Sequence, residues 1–313
     1  MSEKLFTISS SPHIRSKESV NTIMRDVVIA LIPALIVGIY YFGIGAFTVT
    51  ATCVISCVLS EYIFQKITKR PIRINDLSAV VTGILLAFNM PPTSPIWVAV
   101  VGSVFAIIIV KCFFGGIGQN IVNPALAARA FLLSAYPNHM TNWTLNGVST
   151  ATPLAIFKYG GGSAPSFIDI FIGNVGGCIG EVSALALLIG FIYLLYRKVV
   201  TLHVPVAYIA TTFILTATLG FIGRENFSFY QAVLEMFSGG LIIGACFMAT
   251  DYTTSPMTKR GQIIFGIGCG VLTAVIRIFG GYAEGVSYSI LIMNLFVPVI
   301  DKYIKPRAFG EVK

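Results

Sequence analysis

Long apolar runs alternate with short polar segments along most of this chain. Many of the runs approach or exceed the roughly 18–20 residues that a helix needs to cross a bilayer. They are continuously apolar, whereas the strands of a membrane β-barrel alternate with a period of two. The pattern therefore predicts an all-α polytopic membrane protein. The predicted membrane helices cover residues 24–44, 46–64, 77–90, 96–114, 119–135, 174–196, 204–222, 237–250, 262–279 and 286–304.

One long polar segment interrupts this pattern between Tyr136 and Ile172. It contains Asn146-Gly147-Val148-Ser149-Thr150-Ala151-Thr152-Pro153-Leu154, a row of small hydroxyl side chains. We expect a mobile, solvent-facing loop there. The chain then divides into three parts: a polar N-terminal segment with five helices (1–135), the loop (136–173), and five helices with a polar C-terminal segment (174–313). No cleavable signal peptide is evident in the polar first 22 residues.

Two tripeptides occur twice, in the same order. Thr93-Ser94-Pro95 recurs as Thr254-Ser255-Pro256, and Phe114-Gly115-Gly116 recurs as Phe279-Gly280-Gly281. The interval from proline to the first glycine is 20 residues in the first copy and 24 in the second. The pattern indicates that helices one to five are duplicated as six to ten. Because each copy has an odd number of helices, the copies are predicted to be inverted repeats, which place functional sites near the membrane midplane.

The third and eighth predicted helices, 77–90 and 237–250, are short. Each has 14 residues, or about 21 Å at 1.5 Å per residue, less than the roughly 30 Å of hydrocarbon that a span must cross. Both end in polar segments that contain proline. We interpret them as half-spanning or broken helices. The alternative is an ordinary helix extended at its polar end.

Composition agrees with a membrane protein. The chain is 56% hydrophobic and 11% charged, against about 25% charged for an average soluble domain, and its mean hydropathy is +0.84. The formal charge of +8 could indicate a nucleic-acid partner. The positive-inside rule offers a different explanation that counting can test.

With the N-terminus in the cytoplasm, 17 of the 21 basic residues fall on the inner side. The other four are Arg129, Lys158, Arg224 and Arg277. This asymmetry predicts that both termini are cytoplasmic and that the polar loop lies on the outer face. The basic charge is then a property of membrane topology, and we predict no nucleic-acid partner.

Four separated motifs resemble those of one membrane family. Ser149-Thr150-Ala151-Thr152 resembles the flavinylation motif of bacterial respiratory flavoproteins, and Gly115-Gly116-Ile117-Gly118-Gln119-Asn120-Ile121-Val122-Asn123-Pro124-Ala125 resembles a glycine- and asparagine-rich segment. Met248-Ala249-Thr250-Asp251 and Ser11-Pro12-His13-Ile14-Arg15 are similar to further motifs. The family comprises the RnfD component of the Rnf complex and its homologue in the sodium-pumping NADH:quinone reductase. Thr150 and Asn146 depart from the usual glycine and aspartate of the attachment motif.

The resemblance implies a function. Complexes of this family move electrons between reduced ferredoxin and NAD while translocating Na⁺ or H⁺. The implied cofactor is FMN, joined through its phosphate to Thr152 by a separate flavin transferase, and a non-covalent riboflavin is a second candidate. The implied partners are Rnf subunits A, B, C, E and G, and the implied location is the bacterial cytoplasmic (inner) membrane.

Several other residues are candidates for contacts with the flavin. Ser149 and Ala151 precede the attachment residue, and Arg129, His139 and Lys158 could hold the remaining phosphate charge; the alternative for each of these three is an ordinary surface or helix-packing role. The candidate amides could bind a flavin or pack helices, and they are Asn120, Asn123 and Asn294.

Among the acidic residues, Asp251 is the candidate for the ion pathway, because charges at membrane depth are costly and usually functional or paired. It lies beside the hydroxyls of Thr250, Thr253 and Thr254, which suits Na⁺ or a proton. The alternative is a helix-end carboxylate paired with Lys259 or Arg260. The remaining candidates near helix ends are interpreted as interfacial, and they are Glu61, Glu181 and Glu284.

The six cysteines form no CxxC pair, so we predict no metal site and no iron–sulfur cluster held by this chain alone. No phosphate-binding loop or dinucleotide fingerprint is present, so NAD and ATP are not expected to bind here. Two other functions remain open at this point. An inverted repeat with broken helices also builds a channel or transporter for a small solute, and a scaffold for partner proteins would not need Thr152. A covalent flavin would discriminate among the three.

Overall fold

The computed structural model describes residues 19–145, 148–160, 164–223 and 227–305. Expectations for residues 11–15, Asn146, Gly147 and Arg224 fall outside these ranges. The first seven helices are α1 (Val20–Phe42), α2 (Ile44–Ile67), α3 (Ser78–Phe88), α4 (Ile96–Val104), α5 (Pro124–Ala135), α6 (Pro137–Met140) and α7 (Pro153–Tyr159). The other seven are α8 (Phe167–Ile172), α9 (Ala184–Tyr196), α10 (His203–Gly223), α11 (Phe229–Phe237), α12 (Leu241–Ile243), α13 (Lys259–Phe279) and α14 (Val286–Tyr303).

Irregular helical turns extend two of these helices. The chain continues from α4 as a π-helix over Phe105–Cys112 and from α12 as a π-helix over Gly244–Met248. A short 3₁₀-helix, Ile74–Asp76, precedes α3. Two short strands, β1 (Thr144–Leu145) and β2 (Val148–Ser149), form an antiparallel hairpin.

Within the described ranges, five helices are long and apolar enough to cross a membrane: α1, α2, α10, α13 and α14. A sixth span is possible if α11 and Leu241–Met248, which meet at a bend of 59°, count as one. The shorter apolar helices are Ser78–Phe88, Ile96–Cys112, Pro124–Ala135 and Ala184–Tyr196. The long helices bury only a minority of their residues and leave many aliphatic side chains exposed, as helices surrounded by lipid do. The chain is a multi-pass membrane protein.

Helix α3 forms the centre of the core. Ten of its eleven residues are buried, and it packs against α1, α2 and α5. Elsewhere the helices approach closely through small residues. A Cβ on Gly266 of α13 would lie 2.9 Å from the carbonyl oxygen of Val204 in α10, so glycine is needed there. The hydroxyls of Tyr208 and Thr273 join the same two helices at 2.7 Å. Such small residues and interhelical hydrogen bonds hold helices together in lipid.

Two predicted helix starts are wrong by several residues. The helix predicted from residue 119 begins at Pro124, because Asn123 caps it by accepting the N–H groups of Ala125 and Leu126. The helix predicted from residue 174 begins at Ala184. The preceding segment instead donates its N–H groups to the end of α3, from Gly180 to the carbonyl of Phe88 at 3.0 Å.

The two predicted short spans differ from their expected bounds. The third is α3, with 11 residues. The region predicted as 237–250 is interrupted at Ser238–Gly240, so that α11 lies before the break and Leu241–Met248 lies after it. Gly239 adopts a positive φ of 67° at this break, a conformation that glycine accepts without strain.

The polar segment between Tyr136 and Ile172, expected as a loop, contains regular elements. That segment contains α6, the β1–β2 hairpin, α7 and α8. Met140, Leu154 and Ile170 bury their side chains and fold it onto the membrane helices. The polar composition of the segment concealed these few anchoring apolar residues.

Candidate functional site

Thr152 occupies a defined position at the start of α7. Its Oγ1 accepts the N–H of Ala155 at 3.3 Å, so the threonine is the helix N-cap, and the residue is half-buried. Ser149 and Ala151 beside it are exposed, and Ser149 pairs with Thr144 in the hairpin. The candidate attachment hydroxyl is therefore held by local structure on both sides of it.

A cavity of about 280 Å³ adjoins Thr152. We call it the Thr152 cavity; its lining includes Arg129, Trp143, Thr152, Tyr159, Glu181, Tyr282, Glu284 and Tyr288. The rings of Tyr282 and Tyr288 stack with centroids 5.7 Å apart and an interplanar angle of 27°. Aromatic walls with a few polar groups are typical of cofactor sites, whose volumes are roughly 300–1,000 Å³. The cavity therefore has the chemistry and nearly the size to hold one planar ring system.

Arg129 lies in the wall of this cavity with its guanidinium engaged by protein groups. Its Nη1 donates to Asn89 at 2.8 Å, and to Glu181 and Ser287 at 3.0 Å each. Its Nη2 donates to Glu284. A buried guanidinium is stable only when it is paired and hydrogen-bonded, and this one has two carboxylates. It shapes the cavity and holds both glutamates in place.

The two glutamates converge at Gly240, where the chain breaks between α11 and α12. Glu284 accepts the N–H of Gly240 at 2.6 Å. A Cβ on Gly240 would lie 2.4 Å from Glu284 Oε1 and 2.8 Å from Glu181 Oε1. Only glycine leaves room for both carboxylates. The break in the predicted eighth helix thus forms part of the site.

The other two cations considered for the phosphate have structural contacts. Lys158 donates to the carbonyls of Ile276, Gly280 and Tyr282, at 3.3 Å for the first and 2.8 Å for the last. His139 packs edge-on against the ring of Trp97, with centroids 5.6 Å apart.

A second cavity, of about 100 Å³, adjoins Asp251. We call it the Asp251 cavity; its lining includes Ser78, Lys111, Asn120, Asn123, Thr250, Asp251 and Thr253. Asp251 accepts the hydroxyls of Thr253 at 2.8 Å and Thr254 at 3.2 Å. Within the described residues neither Lys259 nor Arg260 forms an ion pair with it. Hydroxyl groups, not a cation, hydrogen-bond the Asp251 carboxylate. The alternative of a helix-end carboxylate paired with Lys259 or Arg260 is therefore wrong.

Asn120 provides an unused acceptor in the same cavity. Its Oδ1 is buried and has no hydrogen-bond partner among the described residues. Buried polar atoms are almost always hydrogen-bonded, so this oxygen is a candidate to bind an ion or a donor group. The carboxylate of Asp251, the hydroxyls beside it and this amide oxygen are the oxygen ligands that a hard cation prefers.

Lys111 and Glu61 form a buried ion pair at the edge of the Asp251 cavity. The ammonium lies 2.8 Å from Glu61 and donates to Ser78 at 2.6 Å, and both charged side chains are almost fully buried. Lys111 also lies within the π-helix that follows α4. Glu61, interpreted from sequence as interfacial, lies within α2 and is only 2% exposed, with Lys111 as its ion-pair partner.

Buried polar side chains connect the two cavities through the core. Asn89, which binds Arg129, also donates to the sulfur of Met248 at 3.6 Å. Asn123 donates to the carbonyl of Met248 at 3.2 Å. Asn294 donates to the carbonyl of Thr254, whose hydroxyl binds Asp251. Arg129 lies within α5 and Asn123 caps it, so one helix borders both cavities.

Comparison with known proteins identifies the family of this chain. A model of the NQR2, RnfD, RnfE family matches residues 7–310. The chain belongs to this family. A relative from Acetobacterium woodii, the D component of a Na(+)-translocating ferredoxin:NAD(+) oxidoreductase complex, is 52% identical over 100% of this chain and 98% of its own. The D component of the proton-translocating ferredoxin:NAD(+) oxidoreductase complex of Clostridium ljungdahlii is 45% identical over 98% of this chain and 97% of its own.

More distant members of the NQR2, RnfD, RnfE family also match over nearly full length. The D component of the ion-translocating oxidoreductase complex of Aliivibrio salmonicida is 34% identical, covering 98% of this chain and 99% of its own. The family assignment inferred from four short motifs is confirmed.

The structure places five of the predicted site residues of this family member in the walls of the two cavities, whereas the exposed Ser149 and Ala151 line neither. Thr152 and Arg129 line the first, whereas Asn120, Asn123 and Asp251 line the second. Sequence reasoning missed Asn89, Lys111 and the pairing of the glutamates. A signal was present for Lys111, because a lysine within Phe105–Cys112, an otherwise apolar run, needs a buried partner.

Proposed function

We propose that this chain is the flavin-carrying membrane component of an ion-translocating ferredoxin:NAD oxidoreductase, the Rnf complex. The full-length similarity to relatives with that name supports the complex and its redox partners. The observation that carries the flavin assignment is Thr152, a helix-capping hydroxyl that lines an aromatic cavity. The partners are the other Rnf subunits A, B, C, E and G, together with a flavin transferase.

The residues of the Thr152 cavity fit an FMN joined by its phosphate to Thr152. Tyr282, Tyr288 and Trp143 offer aromatic surface, while Arg129 and its two glutamates form a hydrogen-bonded polar wall. Bound FMN would supply reversible electron transfer, while the protein positions and tunes it. Trp143 and Thr152 flank the β1–β2 hairpin, so the attachment residue and one wall of the Thr152 cavity belong to the same short segment. Riboflavin is a further proposed cofactor.

The arrangement in the membrane is also a proposal. We infer ten spans in two inverted five-helix repeats, with both termini cytoplasmic in a bacterial inner membrane. Residues 1–135 and 174–313 contain the repeats, and residues 136–173 carry the flavin on the outer face. The distribution of basic residues and the matched tripeptides support this arrangement.

We assign the coupling ion, Na⁺ or H⁺, to the Asp251 cavity. The carboxylate, the hydroxyls beside it and an unpartnered amide oxygen support this assignment. The relatives translocate either ion, so the oxygen ligands common to both are the relevant feature.

In-gel flavin fluorescence after denaturing electrophoresis tests the proposal. The wild-type chain and Thr152→Ala are each produced with the flavin transferase, and Thr150→Ala serves as the matched control. We expect a fluorescent band near 33.7 kDa in the wild type and the control, and none in Thr152→Ala. A dark wild-type band would contradict the flavin assignment and favour the channel or transporter.

A further inference from the structure

A basic groove lies between the start of α13 and the end of α14. Its volume is about 580 Å³. Its lining includes Lys259, Arg260, Ile264, Tyr303 and Lys305. Helix α13 begins at Lys259, so the partial positive charge of its N-terminus is directed to the same place. The groove therefore concentrates positive charge between two membrane helices.

The cations of this groove have no acidic partner among the residues that the structure describes. Its lining contains no carboxylate, and within the described chain Lys259, Arg260 and Lys305 form no ion pair. The nearest acid along α14, Asp301, accepts the N–H of Met257 at 3.2 Å. Like-charged side chains gathered without counter-charge favour an anionic ligand.

Two rows of exposed apolar side chains lead away from the groove. On α13 the row is Ile264, Ile267, Val271 and Val275. On α14 it is Tyr303, Val299, Phe296 and Ile292. Each row follows the three-to-four-residue spacing of one helix face. Because the groove joins the start of one helix to the end of the next, both rows run in the same direction, into the membrane.

We propose that the basic groove binds the phosphodiester headgroup of an anionic phospholipid whose acyl chains lie along these two rows. Basic pockets between membrane helices at the inner surface bind anionic lipid headgroups in this way. The apolar rows distinguish a lipid from free phosphate, which would use only the cations. A zwitterionic lipid carries its own ammonium and gains less from the same three side chains. This site is separate from both cavities.

Native mass spectrometry of the purified complex tests the proposal. The test variant is Lys259→Gln/Arg260→Gln/Lys305→Gln, and the probe is phosphatidylglycerol. The matched control is Lys66→Gln/Lys69→Gln/Lys198→Gln, which removes the same charge from exposed positions elsewhere. We expect bound lipid in the wild type and the control. Affinity should fall roughly fivefold for each groove cation removed, the factor for about 1 kcal/mol.

Three further probes identify the source of the phosphate. Phosphatidylethanolamine, inorganic phosphate and the deacylated headgroup glycerophosphoglycerol should each fail to displace phosphatidylglycerol. Equal lipid loss in the groove variant and the control would show diffuse attraction to the surface and overturn the proposal. Displacement by inorganic phosphate or by the headgroup alone would overturn the part of the proposal that concerns the acyl chains.

Discussion

The Thr152 cavity and the Asp251 cavity treat buried charge in opposite ways. In the first, two carboxylates face one guanidinium, and Arg129 donates to both. In the second, Asp251 receives only hydroxyl and main-chain donors, while the nearby ammonium of Lys111 is already paired with Glu61. Both cavities border α5, so the difference arises from the side chains that line each cavity and not from the helix that they share.

The ion pairs of the Thr152 cavity favour a fixed geometry, whereas the carboxylate of the Asp251 cavity can bind a cation. An ion-paired, hydrogen-bonded cluster holds its geometry, which suits the FMN attachment proposed at Thr152. A carboxylate without a cation in the described chain can be stabilised by binding one. The same fold thus provides one site in which the charged side chains are ion-paired and one in which the carboxylate has only hydroxyl and main-chain donors among the described residues.

The largest expected effect comes from breaking the Lys111–Glu61 ion pair at the edge of the Asp251 cavity. Lys111→Met leaves Glu61 as a buried charge without its partner, which should cost about 3–5 kcal/mol. Thermal unfolding of the purified complex measures the loss. Adding Glu61→Gln to the same chain should recover much of it. An unchanged melting temperature in Lys111→Met would show that water already reaches the pair.

The next effect concerns the convergence of the glutamates in the Thr152 cavity. Gly240→Ala places a methyl group against Glu181 and Glu284 and should destabilise the complex by about 1–3 kcal/mol. Covalent flavin should decrease as the cavity wall shifts. Gly281→Ala is the control, because its added Cβ meets nothing within 4 Å. Equal melting temperatures for the two variants would contradict the crowding at Gly240.

A smaller effect on stability is expected at Asn89, which lies between the Thr152 cavity and the Asp251 cavity. Asn89→Ala removes the acceptor of one Arg129 donor and the contact to Met248. Glu181 and Ser287 still accept from the same Nη1, so the loss of one buried hydrogen bond should cost about 1 kcal/mol. Thermal unfolding measures the cost, and Asn174→Ala, at an exposed position, is the control. A loss no greater than that of the control would mean that the link contributes nothing.

The smallest effect on stability should accompany the largest effect on ion coupling. Asp251→Asn removes charge without changing shape, so flavin content and melting temperature should remain near wild type. The affinity for the coupling ion should fall roughly tenfold to a hundredfold, the factors for about 1.4–2.8 kcal/mol. Ion-dependent transport by reconstituted complex measures it. Wild-type ion dependence in the variant would remove Asp251 from the pathway.

Sequence patterns predicted the helical membrane architecture and the family, because long apolar runs and local motifs depend on neighbours along the chain. They placed the starts of α5 and α9 wrongly, where Asn123 and Ser183 cap the helices. They also missed the contacts among Arg129, Glu181 and Glu284, which are far apart in sequence. Pairing at such separation depends on tertiary packing, and no local pattern records it.

The separation between Arg129 and Glu284 has a consequence for how the protein is made. Arg129 is synthesised about 155 residues before Glu284. At about 5–20 residues per second, its guanidinium is without this partner for roughly 10–30 s. During that time water, lipid headgroups or an insertion factor must solvate it. A chain cut short before Glu284 retains an incompletely paired arginine within its membrane helices, a defect that a membrane protease can use to recognise unfinished copies.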